Sequence, residues 1–336
     1  MTRTLCASIL ILLAGVATVA LAQQQLPPPQ ADYLGQSPPG AEPRLFAPGL
    51  VSTGLSERDV AITPDGNEIY FGAALGRYRF TTVMVVRRVS GRWTAPEVAP
   101  FAGNPADLDL EAALSPDGKR LMFLSNRPNP PLRLERNEDI WLVDRVGGGW
   151  GPARNLGAPV NSEQKEYFPS LTRTGTLYFT REDATTGDSS IFRSRLVDGR
   201  YGVPERLPDV VNSGTARFNA FIAPDESLLL YCMLGRQDSL GGIDAYVSFR
   251  SPDDRWSEPV NLGPKINTAA SEEYSLSLSP DGRFLFFMSA RTADTRELFG
   301  DRISYATMQR LAGSPGNGSS DIWWIDASFL QALRPK

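Results

Sequence analysis

A four-residue motif recurs along the chain at nearly constant spacing, and this repeat restricts the fold more than any other feature. The third residue of each copy lies 52, 57, 51 and 56 residues beyond that of the preceding copy. The copies are Thr63-Pro64-Asp65-Gly66, Ser115-Pro116-Asp117-Gly118, the degenerate Thr172-Arg173-Thr174-Gly175, Ala223-Pro224-Asp225-Glu226 and Ser279-Pro280-Asp281-Gly282. We therefore expect five equivalent units, each packed on its neighbours, over most of the 336 residues.

Each motif predicts a tight hairpin turn followed by a buried strand. Proline presets φ at the second turn position, Asp suits the third, and glycine accepts the left-handed conformation that follows. Continuous apolar strands are typical of sheets buried on both faces, as a blade between two other blades would be. Such a triplet follows each motif: Ile69-Tyr70-Phe71, Leu121-Met122-Phe123, Leu177-Tyr178-Phe179, Leu229-Leu230-Tyr231 and Leu285-Phe286-Phe287.

Two further columns of residues complete the unit. A third strand is predicted at Asp139-Ile140-Trp141, Ser190-Ile191-Phe192, Asp244-Ala245-Tyr246 and Asp321-Ile322-Trp323, with a weaker copy at Thr82-Val83-Met84. A fourth strand combines an aromatic residue with a proline: Trp93 with Pro96, Trp150 with Pro152, Tyr201 with Pro204, and Trp256 with Pro259. Proline is tolerated only at sheet edges, so this strand is expected outermost. The pattern predicts an all-β fold, a five-bladed β-propeller of four-stranded antiparallel blades, without a useful amphipathic helix.

The fifth unit lacks a fourth strand of its own, and the beginning of the chain offers one. Pro43-Arg44-Leu45-Phe46, with Val51 and Ser52 after it, resembles Pro259-Val260-Asn261-Leu262, with Ile266 and Asn267 after it. We expect residues 43–336 to form one domain. Its first segment, Pro43 to Ser52, is expected to close the ring by pairing with the last blade.

The chain begins with features of an export signal. Arg3 precedes the apolar stretch from Ile9 to Ala22, which ends in the small-x-small box Ala20-Leu21-Ala22. As a helix this stretch would rise only about 21 Å, too little to cross a bilayer comfortably. We therefore predict a cleaved signal peptide over residues 1–22 and a periplasmic or secreted protein without a membrane span after cleavage. Residues 23–42, rich in Gln and Pro, are expected to form a flexible tether.

The amino-acid composition excludes several classes of partner and of catalytic site. A net charge of −4 and a pI near 5.2, with no basic run, argue against nucleic acid as a partner. The chain has no histidine, which excludes Ser-His-Asp and Cys-His catalysis and any histidine-ligated metal. Cys232, the single cysteine beyond the signal, is expected to be a small buried hydrophobic residue.

The turn motifs, apolar triplets and Asp-Ile-Trp strands together resemble the WD40-like β-propeller repeats of TolB-like bacterial proteins. The resemblance covers Arg44 to Phe329 and implies a periplasmic or secreted interaction module. TolB has an additional N-terminal domain, whereas a tether is predicted here. The resemblance therefore does not imply membership of a Tol-type envelope system, and propellers host many unrelated activities.

Candidate ligand-binding residues follow from the repeat. The residues eight positions before the third turn residue open the innermost strands, and we expect them to ring one mouth of the central channel: Glu57, Asp109, Glu166, Arg217 and Glu273. The residues six positions before it are Asp59, Glu111, Phe168, Asn219 and Ser275. The loops between second and third strands, on the same face, carry Arg77, Arg127, Arg181, Arg236 and Arg291. The sequence thus predicts an acidic inner ring within a basic outer ring.

The repulsion between the carboxylates of such a ring must be offset. Two carboxylates about 6 Å apart repel by about 3 kcal/mol at an effective dielectric near 20. Arg217 acting as a counterion, a raised carboxyl pKa or a bound cation would offset this repulsion. Calcium prefers oxygen ligands, and it would suit a site formed by Glu57, Asp109, Glu166 and Glu273.

Two functions are compatible with these residues. The first is a binding module that recognises an envelope or extracellular protein, a peptide or a glycan at the channel mouth. The second is a carbohydrate-active enzyme, which needs two carboxyl groups at a defined separation, with Asp59, Glu111 and Glu166 as candidates. The insertion from Ala290 to Ser320, with Arg296, Phe299, Tyr305 and Met308, is expected on the mouth face, either as a lid or as a disordered excursion.

Overall fold

The structure, a computed structural model, describes residues 33–130, 135–269, 272–292, 300 and 302–335. These residues form five antiparallel sheets arranged in a ring, with each inner strand contacting the inner strands of adjacent sheets. The fold is a five-bladed β-propeller, as the sequence predicts.

Within each blade the strands run outward from the channel. β1 (Arg44–Leu45) belongs to the last blade. Blade 1 contains β2 (Ser56–Ile62), β3 (Glu68–Leu75), β4 (Phe80–Val89), β5 (Arg92–Trp93) and β6 (Glu97–Val98). Blade 2 contains β7 (Asp109–Leu114), β8 (Arg120–Ser125), β9 (Asp139–Val146), β10 (Gly149–Trp150) and β11 (Arg154–Asn155). Blade 3 contains β12 (Lys165–Leu171), β13 (Leu177–Glu182), β14 (Ser189–Ser194), β15 (Leu196–Val197), β16 (Arg200–Tyr201) and β17 (Glu205–Arg206). Blade 4 contains β18 (Ala216–Ile222), β19 (Leu228–Leu234), β20 (Ile243–Phe249) and β21 (Val260–Asn261). Blade 5 contains β22 (Glu273–Leu278), β23 (Phe284–Ser289) and β24 (Asp321–Asp326), followed outward by β1.

The ring closes where the sequence predicts. Strand β1 pairs antiparallel with β24, with Arg44 opposite Trp324, and so supplies the missing outer strand. The Phe46 amide continues the pairing by donating to the Ile322 carbonyl at 2.8 Å. Phe46 and Val51 are fully buried in one apolar cluster that contains residues of both blade 5 and blade 1. Closure therefore joins the two ends of the domain through one hydrophobic core.

The residues just before β1 are packed, which corrects part of the expected tether. Tyr33 is buried, and its ring lies 5.1 Å from that of Phe284 and 5.3 Å from that of Trp324. Gln36 donates to the Leu45 carbonyl at 2.7 Å and accepts from the Ala47 amide at 2.9 Å. The Tyr33 ring and the Gln36 hydrogen bonds thus hold this segment against blade 5 and its outer strand. Residues 23–32 of the predicted tether and the predicted signal at 1–22 lie outside the described residues.

The repeated turns have the expected geometry. Gly66 takes φ 69°, and its amide donates to the Thr63 carbonyl at 2.8 Å. The Thr63 hydroxyl donates to the Asp65 carboxylate at 2.6 Å, an arrangement repeated by Ser115 and Ser279. The motif is therefore a hairpin turn locked by its own side chains, as predicted.

The innermost strand of every blade carries a β-bulge, which the sequence pattern did not reveal. The pairing register shifts at this point in all five blades, and the bulged residue has a left-handed φ between 51° and 59°. None of these residues is glycine, although the conformation costs non-glycine residues about 1–3 kcal/mol each. The bulge breaks the regular alternation of side chains along the strand. The five are the residues six positions before the third turn residue: Asp59, Glu111, Phe168, Asn219 and Ser275.

The insertion between β23 and β24 contains an eight-residue helix, α1 (Tyr305–Ala312), with Ser304 as its N-cap; a second short helix, α2 (Phe329–Ala332), follows β24. The Asn317 amide group donates to the Gly54 carbonyl at 3.2 Å, and a Cβ at Gly54 would lie 2.4 Å from the Ala312 carbonyl oxygen. The described part of the insertion therefore packs beside the ring closure, and Arg296 and Phe299 lie outside the described residues. Over the described ranges, no helix has the length and apolar character needed to cross a membrane.

Candidate functional site

A cavity of about 340 Å³ lies at the mouth of the central channel, at the end where the innermost strands begin. We call it the mouth cavity. The residues seven positions before the third turn residue all line it, one from each blade: Arg58, Leu110, Tyr167, Phe218 and Tyr274. The loops and outer strand ends around it contribute Tyr78, Glu138, Glu182 and Glu272. The mouth is therefore lined by tyrosines, carboxylates, one arginine and apolar side chains.

Arg58 is the centre of a buried ion-pair network below this cavity. Its Nε donates to Asp59 Oδ1 at 3.0 Å, and its Nη2 donates to Glu111 Oε1 at 2.7 Å. The remaining carboxylate oxygens are also paired, since Asp59 Oδ2 accepts from the Glu111 amide and Glu111 Oε2 accepts from the Phe168 amide at 2.7 Å. The network thus joins the inner strands of three adjacent blades.

Burial dominates the electrostatics of this network. It raises the pKa of Glu111, an effect that Asp59 reinforces and that the Arg58 guanidinium opposes. Asp59 and Glu111 also line a smaller cavity of about 110 Å³, which continues the channel towards the Pro-Asp-Gly turns. The network therefore separates the mouth cavity from the lower half of the channel.

Tyrosines form the polar aromatic surface of the mouth cavity. The Arg58 guanidinium lies over the ring of Tyr274, 5.0 Å from its centroid, and 5.8 Å from that of Tyr78. The two tyrosine hydroxyls are 2.8 Å apart and share a hydrogen bond. Tyr167 donates to Glu182 Oε2 at 3.4 Å. Burial raises the pKa of both Tyr167 and Tyr274, so these hydroxyls remain protonated at neutral pH.

The rim of the cavity is acidic. Lys165 lies 3.0 Å from Glu182 and 3.8 Å from Glu138, and one cation is thus shared by two carboxylates. Burial raises the pKa of Glu138, an effect that Lys165 opposes and Glu182 reinforces. Glu272 is exposed at the same rim. A ligand entering the cavity meets carboxylates before it meets the buried arginine.

The predicted acidic ring does not surround the channel. Asp109 of blade 2 is fully buried, and Arg127 of the same blade donates to its Oδ1 at 2.6 Å. The Arg127 guanidinium lies over the rings of Phe123 and Trp141, at 5.1 and 5.2 Å from their centroids, and it also donates to the Phe101 carbonyl. We call this site, formed by an acid, two ring faces and a carbonyl, the arginine pocket of the blade.

Blades 3 and 5 repeat the arginine pocket. In blade 3, Arg181 donates to Glu166 at 2.7 Å and to the Val160 carbonyl, with Phe179 and Phe192 as the two rings. In blade 5, Arg291 lies 3.8 Å from Glu273 and donates to the Ile266 carbonyl, with Phe287 and Trp323 as the two rings. The predicted inner acids and outer arginines are therefore partners within single blades.

Blade 4 has an arginine where the other blades have an acid. Arg217 is buried and pairs with Asp188 of blade 3 at 3.1 Å. Arg236 pairs with Asp238 at 3.0 Å and lies 5.4 Å from the centroid of the Tyr246 ring. Arg217 is thus a counterion for a neighbouring loop, and not for the other members of the predicted ring.

Two expectations are corrected by these positions. A calcium site formed by Glu57, Asp109, Glu166 and Glu273 does not assemble, because the four acids are directed into four separate blades. Over the described ranges, no three acids or cysteines approach closely enough to hold a metal ion. The candidate catalytic acids also separate: Asp59 and Glu111 share Arg58, whereas Glu166 is fully buried in the arginine pocket of blade 3.

Sequence reasoning missed the residues that line the mouth. In a strand with regular alternation, the residues eight and six positions before the third turn residue would point to the same face. We refer to these places in the strand as positions eight and six, and to the one between them as position seven. The bulge at position six breaks this rule. The side chain at position seven therefore faces the mouth, and the side chain at position eight is directed into the interior of its own blade. Repeated polar and aromatic residues at position seven, such as Arg58, Tyr167 and Tyr274, are the signal that could have identified the cavity.

Fold and site together define a five-bladed propeller with a polar, aromatic-lined cavity at one end of its channel. No family model matches the sequence, and neither does any curated protein sequence. Similar solved structures include the BT0996 RGII complex, at a TM-score of 0.50 and 8% identity, where the match covers 84% of this protein and 92% of the BT0996 protein. The GH43 endo-arabinanase from Bacillus licheniformis is similar at a TM-score of 0.46 and 13% identity, and the match covers 83% of this protein and 94% of the arabinanase.

TolB from Acinetobacter baumannii is also among the similar structures, as the repeat pattern led us to expect. Its TM-score is 0.45 at 12% identity, and the match covers 81% of this chain. This chain spans only 57% of the TolB chain. At such identities the likeness is one of fold, and the ligand must be argued from the site itself.

Proposed function

We propose that this protein is an exported binding module that holds a segment of a partner protein or peptide in the mouth cavity. The observation that carries the proposal is the composition of that cavity. Tyr78, Tyr167 and Tyr274 line it around one buried arginine, and glutamates form its rim. Tyrosine is favoured in binding surfaces because it combines a large apolar face with a polar hydroxyl at low conformational cost.

The charge of the rim favours a cationic ligand. Glu138 and Glu182 share Lys165, and Glu272 adds a further exposed carboxylate. Complementary charge steers association and determines which partners are accepted. A peptide segment that carries a lysine or a free amino terminus meets this requirement better than an anionic ligand.

The network below the cavity favours binding over catalysis. The side chains of Asp59 and Glu111 are only 2% and 4% exposed. Both oxygens of Glu111 accept hydrogen bonds from the protein, and a general acid must donate its proton to the substrate. The raised pKa of Glu111 is a property that glycosidase acids share. Catalysis at this pair would require the Arg58 network to open.

The experiment is a binding screen of the mature protein against arrays of cationic peptides, anionic peptides and oligosaccharides. Hits are then titrated against Tyr167→Ala and Glu182→Gln. The matched control is Asp117→Ala, an exposed change in a turn at the opposite end of the channel. We expect cationic peptides to bind, and both mouth variants to lose about tenfold in affinity, or about 1.4 kcal/mol.

Three other outcomes would contradict this proposal. Equal loss in the Asp117→Ala control would mean that the effect is not local to the mouth. Binding confined to oligosaccharides would replace the peptide with a glycan. Cleavage of an oligosaccharide that Glu111→Gln abolishes, with the melting temperature unchanged, would establish the enzymatic alternative.

Export rests on the N-terminal signal that the sequence predicts. If residues 1–22 are removed during secretion, the mature protein begins near Gln23 and functions in the periplasm or outside the cell. Mass spectrometry of the protein recovered from periplasmic and culture fractions of a bacterial host tests this point. A full-length chain retained in the cytoplasm would contradict it.

A further inference from the structure

The arginine pocket that blades 2, 3 and 5 fill is present in blade 1 without an arginine. Its acid is Glu57, at the position of Asp109, Glu166 and Glu273. Its walls are Phe71 and Met84, which pair across β3 and β4 as Phe123 and Trp141 pair across β8 and β9. Val51 stands where Val160 and Ile266 supply their carbonyls to the arginines of blades 3 and 5.

The missing arginine is a change of sequence and not of fold. In blade 3 the arginine lies directly opposite the acid, where blade 1 has Ala73 opposite Glu57. In blades 2 and 5 a serine lies opposite the acid, and the arginine comes two residues after that serine. The corresponding residue of blade 1 is Leu75. Small or apolar residues thus occupy both positions from which the other blades deliver a guanidinium.

A cavity remains where those guanidinium groups would lie. It has a volume of about 590 Å³ and is lined by Glu57, Val51, Phe71, Ala73, Leu75 and Met84, among others. It shares no lining residue with the mouth cavity. We call it the blade 1 pocket.

Glu57 is a buried acid without a cation. It is 1% exposed, and its carboxylate accepts hydrogen bonds from the amide and hydroxyl of Thr53. The described ranges contain no ion pair to it, and burial raises its pKa. The nearest loop arginine in sequence, Arg77, lies in an exposed turn and does not line the pocket. A buried carboxylate is stabilised by a cation at the position where its three counterparts have one.

The surface around the pocket is apolar. Leu55, Leu75, Phe80 and Val98 line its outer part and are exposed by 40%, 57%, 54% and 48%. Contiguous exposed apolar surface next to a charged pocket is typical of a protein-binding site. A free amino acid would leave this rim uncovered, whereas a polypeptide would bury it.

We propose that the blade 1 pocket binds an arginine side chain of a partner polypeptide, flanked by apolar residues that cover the rim. The guanidinium would pair with Glu57 and lie over Phe71 and Met84, as Arg127 lies over Phe123 and Trp141 in blade 2. The site is separate from the mouth cavity, and its argument does not depend on the proposed function there.

The first test fills the pocket from within the chain. Leu75→Arg places an arginine where blades 2 and 5 have theirs, and Ala73→Arg places one where blade 3 has it. We expect at least one of these variants to have a higher melting temperature than the wild type, because the guanidinium reaches Glu57. Leu75→Gln is the matched control and should show no gain. A loss of melting temperature in both arginine variants would overturn the proposal.

The second test supplies the arginine from outside. The probe is the blocked tripeptide Leu-Arg-Leu, titrated by calorimetry, with a citrulline version as the uncharged isostere. We expect the arginine peptide to bind at least tenfold more tightly than the citrulline peptide. This preference should disappear in Glu57→Gln, which keeps the size and shape of the side chain and removes its charge, and in the better-folded of the two arginine variants.

Further controls check that the peptide binds in the blade 1 pocket. Asp117→Ala, an exposed change at the opposite end of the channel, should leave the affinity for Leu-Arg-Leu unchanged, and an equal loss there would contradict binding in the blade 1 pocket. Arg296→Gln is titrated in parallel, since Arg296 lies outside the described residues. Unchanged affinity in that variant supports a partner's arginine, whereas increased affinity would mean that the chain fills its own pocket. Equal affinity for the arginine and citrulline peptides in the wild type would also overturn the proposal.

Discussion

At the scale of single residues, neighbouring positions at the start of the innermost strands use charge in different ways. In blades 2, 3 and 5 the residue eight positions before the third turn residue is an acid that pairs with an arginine of its own blade, at 2.6 Å for Asp109 and Arg127. Positions seven and six, represented by Arg58, Asp59 and Glu111, form one network across several blades. The first arrangement stabilises a blade, and the second holds neighbouring blades together around the channel.

The first prediction concerns pH. Burial raises the pKa of Asp321 to about 7 in the folded state, against 3.8 for an unperturbed aspartate, and the Glu57 carboxylate acts in the same direction. Since this folded-state value lies above the unfolded one, the unfolded chain binds fewer protons between the two, and stability falls as pH rises. We expect the free energy of unfolding to decrease from about pH 4 to about pH 7 for this reason.

Urea denaturation at several pH values checks this prediction. Asp321→Asn removes this titration and should make the decrease shallower. A decrease of the same size in Asp321→Asn, or a rise in stability over this range, would contradict the assignment.

A second prediction tests the arginine pockets. Arg127→Gln leaves Asp109 buried without its cation, and breaking a buried ion pair in this way typically costs about 3 kcal/mol. Arg77→Gln, in the corresponding loop of blade 1, removes an exposed arginine and should change stability by less than about 0.5 kcal/mol. Chemical denaturation of both variants measures the difference. Similar effects of the two changes would show that Arg127 is not a structural counterion.

At the scale of elements, one strand of two residues has a larger part in the fold than its length suggests. Strand β1 pairs with β24, and the residues on either side of it bury Tyr33, Phe46 and Val51 in the cluster shared by blades 5 and 1. The outer strand of every other blade follows from its own blade in the chain. Only in blade 5 does it come from the opposite end of the domain, so this element pairs the beginning of the described domain with its last sheet.

The third prediction concerns the anchor of this element. Tyr33→Ala removes a buried ring that contacts Phe284 and Trp324 and should lower the free energy of unfolding by about 3 kcal/mol. Tyr33→Phe keeps the ring and removes a buried hydroxyl that has no hydrogen-bond partner in the described ranges, so it should cost less than about 1 kcal/mol. Thermal and urea unfolding of the pair give the comparison. An alanine variant as stable as the wild type would show that residues 33–42 are a loose tether after all.

At the scale of the whole molecule, closure of the ring gives each of the five sheets a neighbour on both faces and so makes the fold stable. Each sheet is apolar on both faces and is stable only between two neighbours, so an open ring would expose one face at each end. Closure also brings Gly54, the start of blade 1 and the described part of the insertion together beside the blade 1 pocket. The proposed arginine site therefore lies beside the seam where the two ends of the ring meet.

The fourth prediction follows from closure. A chain beginning at Tyr33 should melt at nearly the same temperature as the mature protein, because all residues of the closing cluster remain. A chain beginning at Thr53 loses β1 and four buried residues of this cluster, and it should no longer show a single cooperative transition. Differential scanning calorimetry of the two truncated proteins tests this. Equal melting temperatures would mean that closure by β1 is dispensable.

The sequence by itself determined the blade number, the turns, the buried triplets and the closing strand. These features depend on local rules: proline and glycine define turns, strand-length apolar runs define buried sheets, and both recur with the repeat. It also placed Asp59 and Glu111 at the channel, because they belong to the inner strands. The tertiary structure alone decided which way each charged side chain faces. The bulge at Asp59, Glu111 and their equivalents is a backbone distortion without a residue signature, and it directs Arg58 to the mouth and Glu57 into the blade. Which loop arginine pairs with a buried acid is likewise a matter of three-dimensional contact, since Arg77 and Arg127 both follow the second strand of their blades, but Arg127 lies beside Asp109 whereas Arg77 lies in an exposed turn.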